Sequence, residues 1–202
     1  GVASPVPLVR LRGRTLGIAG LGRIGRAVAA KAQAFGLDVL AHDPYMPDGV
    51  SPPSNVRSVD LPTLLAESDY VVLTCSLTED TGGLIDAEAF ALMKPTAYLV
   101  NTCRGPTVDE KALIEALRSG QIAGAGLDVF EQEPTPDNNP LLKMDNVVVT
   151  PHSAGTSEVS RTTSEIQVGQ EVARILRGTW PMSIVNPAVK SKINNRPAAM
   201  NL

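Results

Sequence analysis

The stretch Thr15–Pro44, TLGIAGLGRIGRAVAAKAQAFGLDVLAHDP, decides how this chain folds. A short apolar run of strand length leads into Gly20, Gly22 and Gly25, spaced G-x-G-x-x-G. The helical pattern RIGRAVAAKAQAF follows, and a second apolar run ends at Asp43. Between a strand and a helix each glycine has a physical task. The first allows a tight turn, the second lets the backbone approach a pyrophosphate, and the third lets helix and strand pack closely. The helix N-terminus then offers its free N–H groups and the positive end of its dipole to the phosphates. Asp43 lies 18 residues after Gly25, where a carboxylate accepts from the ribose hydroxyls of NAD and repels the extra phosphate of NADP. The unit reads as a dinucleotide site that selects NAD.

Further along, apolar runs of strand length recur as YVVLTCS, AYLVNTC, IAGAGLDV and NVVVTPH, with helical patterns interleaved. Near-continuous apolar strands alternating with helices indicate a parallel sheet covered on both faces. The segment VDEKALIEALRSGQ places Leu113, Ile114 and Leu117 on one helical face, carries acidic residues in its first turn, and ends at Gly120. Six such strands in succession predict an α/β, doubly wound parallel sheet of the Rossmann type. YMPDGVSPPSN and EPTPDNNP read as surface loops, and SEVSRTTSEIQVGQEVARILRG as a long helix capped by Gly178. Beyond it, AVKSKINNRPAAMNL shows no clear pattern.

At 202 residues and 43% hydrophobic, the chain is long enough to bury a substantial core. A net charge of -3, from 18 basic and 21 acidic residues in no obvious stripe, argues against nucleic acid as a partner. No run approaches the roughly 18 apolar residues of a membrane helix, and the N-terminus lacks a signal-peptide core. Cys75 and Cys103 are not in metal-like spacing and read as free thiols in a reducing compartment, packing near the cofactor. A cytoplasmic protein without a metal is expected.

In open α/β sheets ligands sit beyond the carboxyl ends of the strands. Three charged or titratable residues fall there: Arg104 after AYLVNTC, Glu133 after GLDVFEQ, and His152 after NVVVTP. An arginine offers a planar fork to a carboxylate, and a histidine exchanges a proton near neutral pH. A glutamate beside the imidazole fixes its tautomer and stabilises its charged form. The set suits a carboxylate substrate with an adjacent carbonyl or hydroxyl. His42, beside Asp43, is given no role.

At these residues the chain resembles the cofactor-binding domain of the D-isomer-specific 2-hydroxyacid dehydrogenases. The similarity runs from about Leu11 to Pro187 and rests on five motifs in the family's order: TLGIAGLGRIGRAVA, LTEDTGGLID, NTCRGPTVDEKALIEAL, GAGLDVFEQEP and LLKMDNVVVTPHSAGTS. The resemblance implies hydride transfer between NAD and a D-2-hydroxy or 2-oxo acid. Arg104 matches the family's substrate-carboxylate arginine, Glu133 its histidine-pairing glutamate, and His152 its acid/base histidine. Asp128 matches the aspartate that holds the nicotinamide carboxamide, and Arg23 and Ile24 match residues whose backbone meets the pyrophosphate. Cys75, Thr102, Cys103, His152 and Gly155 complete the expected cofactor contacts. Homodimerisation is also implied.

Some features depart from the family pattern. Cys75 and Ser76 stand where the family usually has Val-Pro, and Cys103 and Pro106 flank the arginine where smaller residues are commoner. Formate dehydrogenase, a relative, is less similar, because a glutamine stands there in place of Glu133. The family's substrate domain, which precedes the cofactor domain, has no counterpart in this sequence. Residues 1–12 read as the remnant of an interdomain linker, 13–187 as the NAD-binding domain and 188–202 as a tail. The sequence is then a piece of a longer chain, or the protein acts without the usual lid, with little turnover expected of these residues alone. The alternative reading is a non-catalytic, NAD-responsive interaction module similar to the C-terminal binding protein corepressors, which share these motifs.

Overall fold

The computed structural model describes residues 9–46 and 51–189. The chain divides into two compact units between Ala154 and Gly155. In the first, the elements run β1 (Thr15–Ala19), α1 (Arg23–Ala34), β2 (Asp38–His42), β3 (Val56–Ser58), α2 (Leu61–Glu67), β4 (Tyr70–Leu73), α3 (Ala87–Leu92), β5 (Tyr98–Asn101), α4 (Glu110–Ser119), β6 (Gly124–Leu127) and β7 (Val147–Val149). The strands form one sheet in the order β3-β2-β1-β4-β5-β6-β7, and every neighbouring pair is parallel. The strand order reverses between β1 and β4, so the crevice for a ligand opens there, at the carboxyl ends. This is the doubly wound sheet that the sequence predicts.

Side chains alternate across the sheet, and the core divides accordingly. Ile18, Val39, Ala41 and Val72 pack with Ala29 and Ala32 of α1 in one cluster. Ala19, Leu40, Val71, Leu73 and Leu99 pack with Leu64 and Leu65 of α2, Phe90 of α3, and Leu113 and Leu117 of α4 in the other. Phe90, Leu64, Leu73 and Leu99 are essentially fully buried, each worth about 1.5–3 kcal/mol by the area it removes from water. Helix α4 begins at Asp109, whose carboxylate accepts from the Ala112 N–H, and ends at Gly120 in the left-handed region, φ 74°.

The sheet differs from expectation at its two edges. β3 is a seventh strand, only three residues long, with Arg57 and Ser58 exposed. Its edge position supplies neither the length nor the apolar alternation by which a strand is read. β7, at the opposite edge of the sheet, is apolar throughout, yet Val148 is 71% exposed.

The second unit contains α5 (Glu158–Leu176), where Ser157 and Ser160 form a reciprocal capping box. Gly178 follows the helix at φ 75°, as its sequence predicts. Part of the first proline-rich loop, most of the segment before Gly13 and nearly all of the tail lie outside the described residues. Among the described residues no helix is long and apolar enough to cross a membrane, and no group of three or more potential metal ligands occurs.

Candidate functional site

The glycine loop sits at the sheet's reversal point. Gly20 follows β1 at φ 96°. Its N–H donates to the His42 carbonyl at 2.8 Å, and its own carbonyl accepts the Thr74 hydroxyl at 2.6 Å. A Cβ on Gly20 would stand 2.6 Å from the Cys75 nitrogen, and one on Gly25 only 2.1 Å from the Gly20 oxygen. Both positions exclude a side chain. Gly22 is different: a Cβ there would meet nothing within 4 Å. It is the N-cap of α1, and no side chain caps the helix, so the first-turn N–H groups of the exposed Arg23 and Ile24 are left without a side-chain acceptor. Residues that tolerate no Cβ hold the turn, while the space at Gly22 is open.

Asp43 closes the same site. Its carboxylate accepts from the Leu21 N–H at 2.7 Å and the Tyr45 N–H at 3.0 Å, which fixes it at the end of β2. With Gly20, Gly22, Thr74 and Cys75 it lines a cleft of about 360 Å³. Tyr45 donates to Asp80, joining the loop after β2 to the loop after β4 at this cleft. The resident donors and acceptors fit a dinucleotide: open helix N–H groups for phosphates and a fixed carboxylate for ribose hydroxyls. His42 Nδ1 meets the Val59 carbonyl at 3.1 Å, a structural contact.

The second part of the site is built on Asp128, just beyond β6 and 4% exposed. Its backbone carbonyl accepts the His152 N–H at 2.9 Å. Its carboxylate accepts the Thr150 hydroxyl, the Ser153 N–H at 2.8 Å and the Ala154 N–H at 2.9 Å. Burial pushes this carboxyl up, but the Thr150, Ala154 and Ser153 hydrogen bonds together outweigh it and hold the group below its ordinary value. One acceptor direction on Oδ2 is left over, as each carboxylate oxygen has two. The same contacts hold His152 in the left-handed region at φ 52°, a conformation costing roughly 1–2 kcal/mol for a non-glycine residue.

That turn aims the imidazole. His152 Nδ1 lies 2.8 Å from Glu133 Oε2, while Glu133 Oε1 accepts the Phe130 N–H at 3.0 Å. The His152 hydrogen bond first, and the Phe130 amide next, hold the Glu133 carboxyl below its ordinary range, with a further contribution from the charge of Arg104. Both side chains are solvent-accessible, at 49% and 37%. With Nδ1 engaged by Glu133, Nε2 is the nitrogen left for a ligand. The pair and Asp128 line a cleft of about 670 Å³ with Phe130 and Val149.

Arg104 is brought towards this pair by a close backbone approach. A Cβ on Gly105 would stand 1.7 Å from the Phe130 oxygen, so the turn after β5 presses directly on the loop that carries Glu133. The Arg104 carbonyl accepts from Asn101 Nδ2 at 3.0 Å and Thr107 Oγ1 at 2.6 Å. Its guanidinium is exposed, with one hydrogen bond to the Cys103 carbonyl at 2.6 Å. Thr102 is also exposed, Cys103 is buried, and Cys75 is half-buried. Gly155, exposed, begins the second unit. Sequence reasoning missed Thr74, Thr150, Tyr45 and Asp80, and the packing role of Gly105. Each acts through a partner distant in sequence.

Fold, glycine loop and fixed carboxylate define a dinucleotide-binding α/β domain. Over residues 3–154 the sequence matches the D-isomer specific 2-hydroxyacid dehydrogenase family, NAD binding domain, and the chain belongs to that family. A glyoxylate reductase of Korarchaeum cryptofilum is 49% identical over 177 residues, covering 88% of this chain and 53% of that protein. Glyoxylate/hydroxypyruvate reductase B of Escherichia fergusonii is 44% identical over 177 residues, covering 87% of this chain and 55% of that protein. Among solved structures, the NAD-complexed D-isomer specific 2-hydroxyacid dehydrogenase of Lactobacillus delbrueckii ssp. bulgaricus superposes with a TM-score of 0.77 at 36% identity, covering 88% of this chain and 57% of that one. The chain spans about half the length of the curated relatives it matches.

Proposed function

We propose that the protein is an NAD-dependent D-2-hydroxyacid dehydrogenase, reversibly interconverting a 2-oxo acid and its D-2-hydroxy acid. The observation that carries this reading is the 2.8 Å contact between His152 Nδ1 and Glu133 Oε2, in a cleft that Asp128 also lines. Gly20, Gly22, Gly25 and the N–H groups of Arg23 and Ile24 hold the pyrophosphate, and Asp43 the adenosine ribose. Cys75, Thr102, Cys103 and Asp128 complete the contacts, with Asp128 offering its remaining lone pair to the carboxamide. When bound, the nicotinamide supplies or accepts the hydride. Arg104 holds the substrate carboxylate with its planar fork. His152 gives its Nε2 proton to the carbonyl oxygen, and Glu133 stabilises the imidazolium through Nδ1. In the oxidative direction the same nitrogen takes the hydroxyl proton. The reading includes a homodimer in the cytoplasm.

The test is oxidation of NADH by the intact gene product with glyoxylate, hydroxypyruvate, pyruvate and bulkier 2-oxo acids. Turnover with at least one of them supports the reading and ranks the substrates. Tight NADH binding without turnover overturns it in favour of an NAD-responsive interaction module.

A further inference from the structure

We infer that Cys75 and Cys103 form a redox-sensitive thiol pair whose closure to a disulfide ties the cofactor loop to the Arg104 turn and weakens NADH binding. Neighbouring strands β4 and β5 are in register at Leu73 and Asn101. Two residues further along each chain stand Cys75 and Cys103, both free thiols. Adjacent strands lie about 4.8 Å apart, inside the roughly 4.4–6.8 Å Cα separation that a disulfide spans. Cys103 belongs to the buried apolar cluster against which Cys75 packs. The neighbouring thiol pushes Cys75 up and draws Cys103 down to about 6, which makes Cys103 the more readily ionised of the two.

Each cysteine is wired to a different half of the site. The Cys75 backbone packs against Gly20, where a Cβ would approach its nitrogen to 2.6 Å. Cys103 Sγ donates to Asn101 Oδ1 at 3.2 Å and lies 3.4 Å from Thr107 Oγ1. Asn101 and Thr107 are the two groups that hold the Arg104 carbonyl. Drawing Cys103 Sγ towards Cys75 removes it from that network and pulls on the first glycine turn. The consequence for Arg104 rests on its proposed carboxylate role; the consequence for the cofactor does not.

With hydrogen peroxide as oxidant the chemistry balances in two steps. The Cys103 thiolate attacks one peroxide oxygen, an S–O bond forms, the O–O bond breaks, and the leaving hydroxide takes the Cys75 proton as water. The Cys75 thiolate then attacks the Cys103 sulfenic sulfur. An S–S bond forms, the S–O bond breaks, and the departing hydroxide is protonated to a second water. Two thiols lose two electrons, and the peroxide gains them.

The experiment treats the purified protein with hydrogen peroxide and follows free thiols, intact mass and NADH affinity, beside Cys75→Ala and Cys103→Ser. The expected result is loss of both thiols, a mass lower by two hydrogens without cross-linked dimer, and NADH bound about tenfold more weakly, the equivalent of one lost hydrogen bond. Dithiothreitol restores all three readouts, and in each variant, whatever its own starting NADH affinity, peroxide leaves that affinity unchanged. Persistence of both thiols, a mass gain of oxygen in place of hydrogen loss, or unchanged NADH affinity in the disulfide form would each overturn the inference. Thiol count and mass need no turnover, so the outcome is separable from that of the 2-oxo acid assay.

Discussion

Gly22→Ala and Gly25→Ala, one methyl group added at two positions of the same loop, are expected to fail in opposite ways. At Gly25 the new Cβ would lie 2.1 Å from the Gly20 oxygen and 3.0 Å from Thr74 Oγ1, more than an ångström inside ordinary contact with the first. Neither partner is free to move, because Thr74 Oγ1 donates to that oxygen at 2.6 Å and the Gly20 N–H is bound to the His42 carbonyl. Forced overpacking of this kind costs about 1–3 kcal/mol of folding stability. At Gly22 the Cβ meets nothing within 4 Å, and φ -69° suits alanine. Loss of a tolerated N-cap, about 1 kcal/mol at most, is offset by lower entropy of the unfolded chain. In the proposed site the pyrophosphate comes to the open space at Gly22, and leaving one N–H to phosphate contact unmade costs about 2–3 kcal/mol, roughly a hundredfold in Kd. Urea unfolding of the apo proteins and fluorescence titration with NADH separate the two effects. Gly22→Ala binding NADH within about twofold of wild type, or unfolding as readily as Gly25→Ala, would refute the reasoning.

Asp43→Asn removes the carboxylate charge proposed to exclude a ribose phosphate, a repulsion worth about 4 kcal/mol near a surface at contact distance. Relative affinity for NADPH over NADH is expected to rise by up to about three orders of magnitude, as read by competitive titration. Arg104→Ala is expected to raise KM for the 2-oxo acid by about tenfold to a hundredfold, the range of a charged hydrogen bond, with NADH affinity unchanged in a direct titration. Asp128 has a folded pKa below its unfolded one, so the unfolded state takes up protons first as pH falls. Its contribution is therefore present above the ordinary carboxylate range and lost as pH drops through the lowered value. Asp128→Asn is expected to be less stable at neutral pH and to show a flatter loss of stability in acid, measured by denaturant midpoints across pH.

What was legible in the sequence was local. The strand, glycine loop, helix and Asp43 lie within one thirty-residue stretch, and the period of their apolar positions gives the sheet its class. Arg104, Glu133 and His152 could be placed at strand ends because each directly follows an apolar run, and the structure brings Glu133 and His152 into contact at 2.8 Å. What was hidden depends on approaches across the sheet. Gly105 looks like an ordinary turn residue until the Phe130 backbone is found against it. Asp128 reads as a strand-end acid, and its holding of the His152 turn emerges only when Ser153 and Ala154, 25 and 26 residues on, donate to it. β3 escaped because three residues, two of them polar and exposed, leave no period to read.

The central claim is that His152, oriented by Glu133, moves a proton while the glycine loop holds the cofactor independently of it. Single-turnover oxidation of saturating NADH, with the best 2-oxo acid, by the intact wild-type protein and its His152→Ala variant tests this most directly. Removal of a general acid is expected to slow hydride transfer by about 10²–10⁴-fold while the NADH Kd rises by no more than about tenfold, the loss of one contact. Equal single-turnover rates, or a variant that fails only because it no longer binds NADH, would contradict it.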